Sequence, residues 1–150
     1  MRMNKDIIIF AGGCFWALES AFYDLKGVYE TSTGYMGGST KHPSYQEVSK
    51  NNTGHAEVVK IIFDSSILSL DDLLRIFFKS HNASGLSRKK EQYRSAIFAK
   101  NLEQKIYLDT YITKLYEHKT INTVVEMGFT FYKAEERHQH YYKKHKKRRG

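Results

Sequence analysis

Short apolar runs alternate with stretches of helical spacing along the chain. Runs rich in β-branched and aromatic residues predict strands, and apolar residues that recur every three or four positions predict helices. In chain order the pattern predicts a strand at 6–11, a helix at 14–27, strands at 28–35 and 56–63, a helix capped by Ser69, a strand at 94–98, a helix at 101–116, strands at 121–127 and 129–132, and a helix from Glu135 into the tail. This order predicts an α+β sandwich with a mixed β-sheet, and a hairpin where Gly128 separates the last two strands.

Two long polar segments interrupt this pattern. Residues 36–54 form a stretch rich in Gly, Ser, Thr and Asn, and a second polar stretch runs from His81 to Gln92. Loops this long inside a compact domain are usually functional or disordered. We therefore expect functional residues in or beside them.

The totals describe one globular domain. The chain has 150 residues, a single Pro and no repeat or linker-like segment, so we expect one domain over 1–150. The apolar run near the start is too short for a signal-peptide core or a membrane span. One cysteine suits a reducing compartment, which predicts a cytoplasmic protein without an internal disulfide.

The net charge of +8 is concentrated at the C-terminus. The stretch Lys143–Arg149 holds six of the 24 basic residues, and without it the balance falls to +2. A terminal run of this kind is more often a solvated extension than a reader of sequence. Nucleic-acid binding is therefore not expected to be the main function.

Cys14 stands where a reactive thiol would stand. It follows Gly12-Gly13 between a predicted buried strand and a predicted helix, and the free N–H groups and dipole of a helix N-terminus favour the nucleophilic thiolate. Phe15 and Trp16 beside it can wall an apolar pocket. A buried, inert cysteine in a tight turn explains the same pattern, and the spacing alone leaves the two alternatives about even.

Other candidates have stronger structural alternatives. Glu57 begins a strongly apolar strand, where desolvation can raise the pKa of a carboxyl group and suit it to general acid catalysis. A strand-end Glu that reaches solvent is nevertheless more common, and His55 fits a structural histidine better. Tyr45 and Tyr93 can donate to an oxygen acceptor, but each is one of 11 tyrosines. No Cys or His spacing suggests a metal site.

Five ordered blocks of this chain resemble the signature blocks of the A-type peptide methionine sulfoxide reductases. The blocks are Gly12–Trp16 with Glu19; Gly34–Gly38 with Pro43–Tyr45 and Glu47-Val48; Thr53–Glu57; Gln92–Ile97; and Phe131-Tyr132 through Tyr141-Tyr142. They stand in the family's order and cover nearly the whole chain. Five ordered blocks are specific, whereas any one alone would not be. The resemblance implies the family's ferredoxin-like two-layer sandwich, here ending in a basic tail at about 143–150.

The resemblance also implies an activity and roles. The activity is reduction of the S-epimer of methionine sulfoxide in peptides and proteins; use of the free amino acid is left open. The implied catalytic residues are Cys14, Glu57, Tyr45 and Tyr93, and the implied substrate-binding residues are Phe15 and Trp16. In these roles Cys14 attacks sulfur as thiolate and becomes a sulfenic acid, Glu57 protonates the sulfoxide oxygen, and the tyrosines hydrogen-bond that oxygen.

Three departures from the family pattern shape the remaining expectations. Many members carry resolving cysteines near the C-terminus and this chain has none, so we expect no bound cofactor and an external thiol reductant: thioredoxin, glutaredoxin or a low-molecular-weight thiol. The loop at 82–91 is shorter than the family's and lacks its Asp, for which Glu91 is a partial substitute, and Lys89 and Lys90 can lower the pKa of Cys14. Ala17 replaces a usual Gly. The altered loop leaves an alternative function open: a weakly active methionine-sulfoxide binder or a thiol redox sensor. By similarity to the family, the expected oligomeric state is a monomer.

Overall fold

The computed structural model describes residues 4–83 and 91–145, which form a mixed sheet with helices. The strands are β1 Lys5–Ala11, β2 Val28–Met36, β3 Ala56–Asp64, β4 Ala96–Ala99, β5 Val124–Met127 and β6 Tyr132–Lys133, and the helices are α1 Phe15–Ser20, α2 Tyr45–Ser49, α3 Leu70–Ser80, α4 Leu102–Tyr116 and α5 Tyr141–Lys144. Single 3-10 turns lie at Glu91–Tyr93 and Glu136–His138. The predicted loop at 82–91 and the basic tail at 143–150 fall largely outside the described residues.

The strand order in the sheet is β5-β4-β1-β3-β2-β6. The β4–β5 pair is parallel, and the other described pairs are antiparallel. The central four strands follow the ferredoxin-like order, in which two strand–helix–strand units interleave, so the predicted α+β sandwich with a mixed sheet is confirmed. The predicted hairpin at Gly128 is wrong, because β5 and β6 lie at opposite edges of the sheet.

The core lies between the helices and one face of the sheet. Alternate side chains of β3 point to this face, and Val59, Ile61 and Phe63 are fully buried there. Phe10 of β1 stacks on Phe77 of α3 at a ring-centroid distance of 4.3 Å. The opposite face carries a smaller apolar cluster. Because Glu57 shares the Val59 side of β3, the strand directs this carboxylate into the layer that holds α1.

Three helix boundaries differ from the sequence prediction. The helix from Cys14 ends at Ser20 rather than Gly27, because the backbone then tightens to i→i+3 hydrogen bonds that preserve the apolar spacing. A short helix, α2, lies in the predicted loop, where Ser44 and Glu47 form a capping box. The predicted C-terminal helix is reduced to a 3-10 turn and α5, which are separated by His140 in the left-handed conformation.

Two further observations concern the chain as a whole. Across the described ranges, no helix is both long enough and apolar enough to cross a membrane. The start of the basic tail is packed on the domain: Lys144 Nζ donates to the carbonyl oxygen of Glu136 at 2.9 Å, and Lys143 lies 5.8 Å from the ring centre of Tyr23.

Candidate active site

A tight turn between β1 and α1 presents Cys14. Gly13 has a φ of +80°, a conformation that favours glycine, and its N–H donates to the carbonyl oxygen of Tyr93 at 3.2 Å. Gly12 lies against His81, whose ring atoms would be 2.9 Å from an added Cβ. Cys14 then occupies the N-cap of α1, and it is half-buried. The turn therefore fixes the thiol between the sheet and the segment that carries Tyr93.

The electrostatics of Cys14 differ from the sequence expectation. Burial raises the pKa of the thiol, and the backbone N–H groups of Trp16 and Ala17 lower it, while the charge of Glu57 raises it further. The net pKa lies above the ordinary value. The helix N-terminus supplies the donors that the sequence predicted, but burial and the nearby carboxylate outweigh them. The expectation that Lys89 and Lys90 lower this pKa concerns residues outside the described ranges.

Glu57 is fully buried beside the thiol rather than reaching solvent. Its Oε1 accepts the backbone N–H of Phe15 at 3.1 Å, and its Oε2 accepts Nε2 of Gln92 at 2.7 Å. The common alternative of a solvated strand-end carboxylate is therefore excluded. The contact with Phe15 joins Glu57 to the residue that follows Cys14 in the chain.

Tyr45 and Tyr93 converge on the same site from two different loops. Tyr45 begins α2 directly after its capping residue Ser44, and Tyr93 ends the 3-10 turn at Glu91–Tyr93. The two phenol groups are close enough that each affects the pKa of the other. Burial raises the pKa of both, and the charge of Glu57 raises them further. Both phenols are therefore protonated near neutral pH and can act as hydrogen-bond donors.

The two aromatic residues after Cys14 occupy different environments. Trp16 is partly exposed and donates from Nε1 to Nδ1 of His138 at 3.0 Å, and the ring of Tyr141 stacks on it at 3.7 Å. A cleft of about 380 Å³ opens here; its lining residues are Trp16, Tyr45, Arg137, His138, Tyr141 and His145. Phe15 is fully buried behind this cleft, with its ring 6.3 Å from that of Tyr45. Contact between Phe15 and substrate stays a prediction.

Several residues support the site without having received a role from the sequence. Glu135 accepts the phenol O–H of Tyr35 on Oε1 at 2.8 Å and the backbone N–H of Tyr45 on Oε2 at 3.0 Å. Burial alone would raise the pKa of Glu135, but these hydrogen bonds outweigh it and the net pKa is lowered. Glu135, Tyr35, Gln92 and His138 all stand within the five blocks. Their presence there was the available signal, but a block does not reveal which side chains touch.

The remaining candidates have structural roles. His55 is buried; its Nδ1 accepts the backbone N–H of Gly38 at 3.1 Å, and its Nε2 lies 2.7 Å from the carbonyl oxygen of Thr40. The Glu91 carboxylate lies 3.6 Å from Nε of Arg94, and its substitution for the Asp missing from the loop stays a prediction. Within 4–83 and 91–145, no group of three or more His, Cys, Asp or Glu side chains is arranged to hold a metal ion.

Comparison with known proteins gives one family. A family model described as peptide methionine sulfoxide reductase matches residues 6–150. A peptide methionine sulfoxide reductase MsrA from Natronomonas pharaonis is 43% identical over 141 residues, covering 89% of this chain and 79% of the relative. The crystal structure of Mxr1 from Saccharomyces cerevisiae in reduced form aligns with a TM-score of 0.87 at 29% identity, covering 94% of this chain and 86% of that one. Methionine sulfoxide reductase A of Corynebacterium diphtheriae aligns with a TM-score of 0.82 at 28% identity, covering 95% of this chain and 76% of that one. The chain belongs to the peptide methionine sulfoxide reductase family.

Proposed function

We propose that this chain reduces the S-epimer of methionine sulfoxide in peptides and proteins, with Cys14 as nucleophile. One observation carries the proposal: the buried carboxylate of Glu57 accepts the backbone N–H of the residue next to Cys14. A nucleophile and a proton carrier thus share one site, and two phenols complete it. Reduction of a sulfoxide needs this combination, because sulfur is attacked while its oxygen must take up a proton.

The raised pKa of Cys14 defines the starting state. With Glu57 ionised, Cys14 holds its proton, and the resting pair is a thiol beside a carboxylate. Transfer of that proton to Glu57 gives a thiolate beside a carboxylic acid with no change in net charge. The thiolate forms a bond to the sulfoxide sulfur, and Glu57 returns the proton to the sulfoxide oxygen. Transfer of the hydroxyl from the substrate sulfur to the Cys14 sulfur breaks both the S–O bond and the new S–S bond, which releases methionine and leaves a sulfenic acid, with Glu57 again a carboxylate.

In this proposal Tyr45 and Tyr93 orient the sulfoxide oxygen. Both phenols keep their protons near neutral pH, so each can donate a hydrogen bond to that oxygen. Trp16 offers apolar surface in the adjacent cleft for the methyl group, with Phe15 behind it. Oxygen held on one side and methyl on the other would select one arrangement around sulfur, which supports preference for a single epimer.

Completion of the cycle needs a second thiol. The chain has one cysteine, so the sulfenic acid cannot form a disulfide within these 150 residues. An external thiol condenses with it, releasing water and forming a mixed disulfide, and a second thiol then restores Cys14. Thioredoxin, glutaredoxin and low-molecular-weight thiols all meet this need; Mxr1, the 29% identical relative above, has also been solved in complex with Trx2. We further propose that the protein is cytoplasmic, because the single thiol suits a reducing compartment. A monomer is the oligomeric state that we propose with it.

The alternative of a thiol redox sensor is less well supported. Sensor cysteines combine a low pKa with solvent access. Cys14 instead has a raised pKa and is half-buried. A sulfoxide binder without turnover would have no need for a nucleophile and a proton carrier held together.

The test is steady-state reduction of a methionyl peptide carrying the S-sulfoxide, with dithiothreitol as the thiol. Cys14→Ser is the matched variant, and the R-epimer peptide is the substrate control. We expect turnover of the S-epimer by the wild type and none by the variant. A folded wild-type protein that binds the peptide without turnover would favour the binder instead.

A further inference from the structure

Gln92 is the one described side chain with a buried atom that lacks a hydrogen-bond partner. It is 1% exposed, and its Nε2 donates to Oε2 of Glu57 at 2.7 Å. Its Oε1 has no hydrogen-bond partner within residues 4–83 and 91–145. A buried amide oxygen without a donor loses its hydrogen bonds to water and gains none in return, so this atom calls for an explanation.

Two donors on Glu57 suit one of its protonation states better than the other. The backbone N–H of Phe15 and the Gln92 amide each donate to one carboxylate oxygen, which suits the ionised form. When Oε2 carries a proton, the Gln92 N–H would face another donor. Rotation of the amide by half a turn exchanges Nε2 and Oε1 without a change of volume. The unpaired oxygen would then accept the proton of the acid at the place where the amide had donated.

We propose that Gln92 is a positioning residue that holds Glu57 in both protonation states, donating to the carboxylate and, after rotation of its amide, accepting from the acid. This inference rests on the proposed function, in which Glu57 takes a proton from Cys14 and returns it to the sulfoxide oxygen. An amide can serve both states, whereas a lysine or backbone N–H in its place would serve only the carboxylate. Gln92 thereby sets how the one proton is divided between Glu57 and Cys14.

Among residues 4–83 and 91–145, the other titratable groups that face this pair are phenols. Tyr35 of β2, Tyr45 of α2 and Tyr93 of the 3-10 turn are all held protonated, because burial raises the pKa of each. Arg137 and His138 lie behind Tyr45, and the pKa of His138 is lowered by burial and by Arg137. Near neutral pH, therefore, the proton that moves is the one shared by Cys14 and Glu57.

The test compares Gln92→Met with Glu57→Gln and with the matched control Gln104→Met. Gln104 is also a buried amide, bonded to the backbone of Lys100 and Ile7, away from Cys14. The readout is the rate of Cys14 alkylation by iodoacetamide against pH, followed by intact mass. Loss of the donor disfavours the ionised form of Glu57. The negative charge beside Cys14 is then reduced. We expect the alkylation midpoint of Gln92→Met to fall by on the order of 0.5–1 pH unit, towards that of Glu57→Gln, with Gln104→Met unchanged.

Two further measurements complete the test. The side-chain amide resonances of Gln92, assigned by their loss in Gln92→Met, should move with the same midpoint as Cys14 alkylation. We also expect kcat/KM for the S-sulfoxide peptide to fall about 10-fold in Gln92→Met, with a shifted pH profile that Gln104→Met lacks. The inference would be overturned if Gln92→Met had the same alkylation midpoint as the wild type, or if the amide resonances did not change with pH. Full turnover by Glu57→Gln would instead refute the acid role of Glu57, and would do so whatever Gln92→Met shows.

Discussion

Glu135→Gln removes a charged acceptor from beneath Tyr45. The carboxylate accepts the phenol of Tyr35 and the backbone N–H of Tyr45, one on each oxygen. The substituted amide keeps one oxygen and carries no charge. The Tyr35 hydroxyl can turn to accept from the new amide N–H, which leaves the amide oxygen for the Tyr45 N–H. The loss is therefore the negative charge that strengthens the hydrogen bond at the start of α2.

The size of the effect follows from the charged hydrogen bond. Hydrogen bonds to charged groups contribute about 1.5–3 kcal/mol, and Glu135 is only partly buried, which favours the lower end. We expect a loss of about 1.5–2 kcal/mol in the free energy of unfolding. For a chain of this length that corresponds to a fall in Tm of roughly 3–8 °C. Weaker anchoring of Tyr45 should also lower kcat/KM on the order of 10-fold or more.

The assay is urea denaturation of both proteins at several pH values. The pKa of Glu135 is lowered by folding, so its stabilisation is present above the unfolded-state value of about 4.3 and is lost as the pH falls through the folded-state value. The difference between wild type and Glu135→Gln should thus be full at pH 7 and shrink in acid. Glu30→Gln, at an exposed position of β2, is the control and should change little. Equal stability of Glu135→Gln and wild type at pH 7, or a difference that grows in acid, would refute this reasoning.

Two further outcomes test the backbone and the thiol. Gly38→Ala places a Cβ 2.4 Å from both the N atom of His55 and the carbonyl oxygen of Thr53. Urea denaturation should therefore show a loss of about 2–3 kcal/mol in the free energy of unfolding. We also expect kcat/KM to fall, because the displaced loop carries Tyr45. Gly128→Ala has open space but a φ of +91°, so it should lose only about 1 kcal/mol and keep its activity; equal losses would contradict the clash. Because the pKa of Cys14 is raised, its alkylation by iodoacetamide should reach half-maximal rate above the pH of about 8.5 typical of free cysteine; a midpoint below pH 8 would contradict the dominance of burial.

The fold was predictable where the apolar pattern was consistent with only one kind of secondary structure. The runs at β1 and β3 are long and buried, and Ser69 caps α3 with Asp72, as the sequence indicated. The pattern could not place β5 and β6 at opposite edges, because adjacency in sequence carries no information about which strand each will pair with. It also missed α2, which has five residues and is set by the capping box of Ser44 rather than by apolar spacing.

The sequence predicted which residues form the candidate site, but not the balance of effects on the pKa of Cys14. Cys14, Glu57, Tyr45 and Tyr93 do lie together, and their catalytic roles stay predictions. The helix N-terminus suggested a lowered thiol pKa, yet burial and Glu57 give the opposite sign, and neither effect can be seen from the turn alone. The hydrogen bonds of Glu135 with Tyr45 and of Gln92 with Glu57 join residues at least 35 positions apart in the chain. Only the folded chain reveals such contacts.

The most direct test of the central claim is a single turnover without reductant. The chain is mixed with excess S-sulfoxide peptide and dimedone, and both the reduced peptide and the mass of the protein are quantified. Because the chain has one cysteine, we expect one methionine formed per chain, with a dimedone adduct on Cys14 that marks its sulfenic acid. No methionine from a folded protein, or methionine formed while Cys14 stays unmodified, would contradict the account.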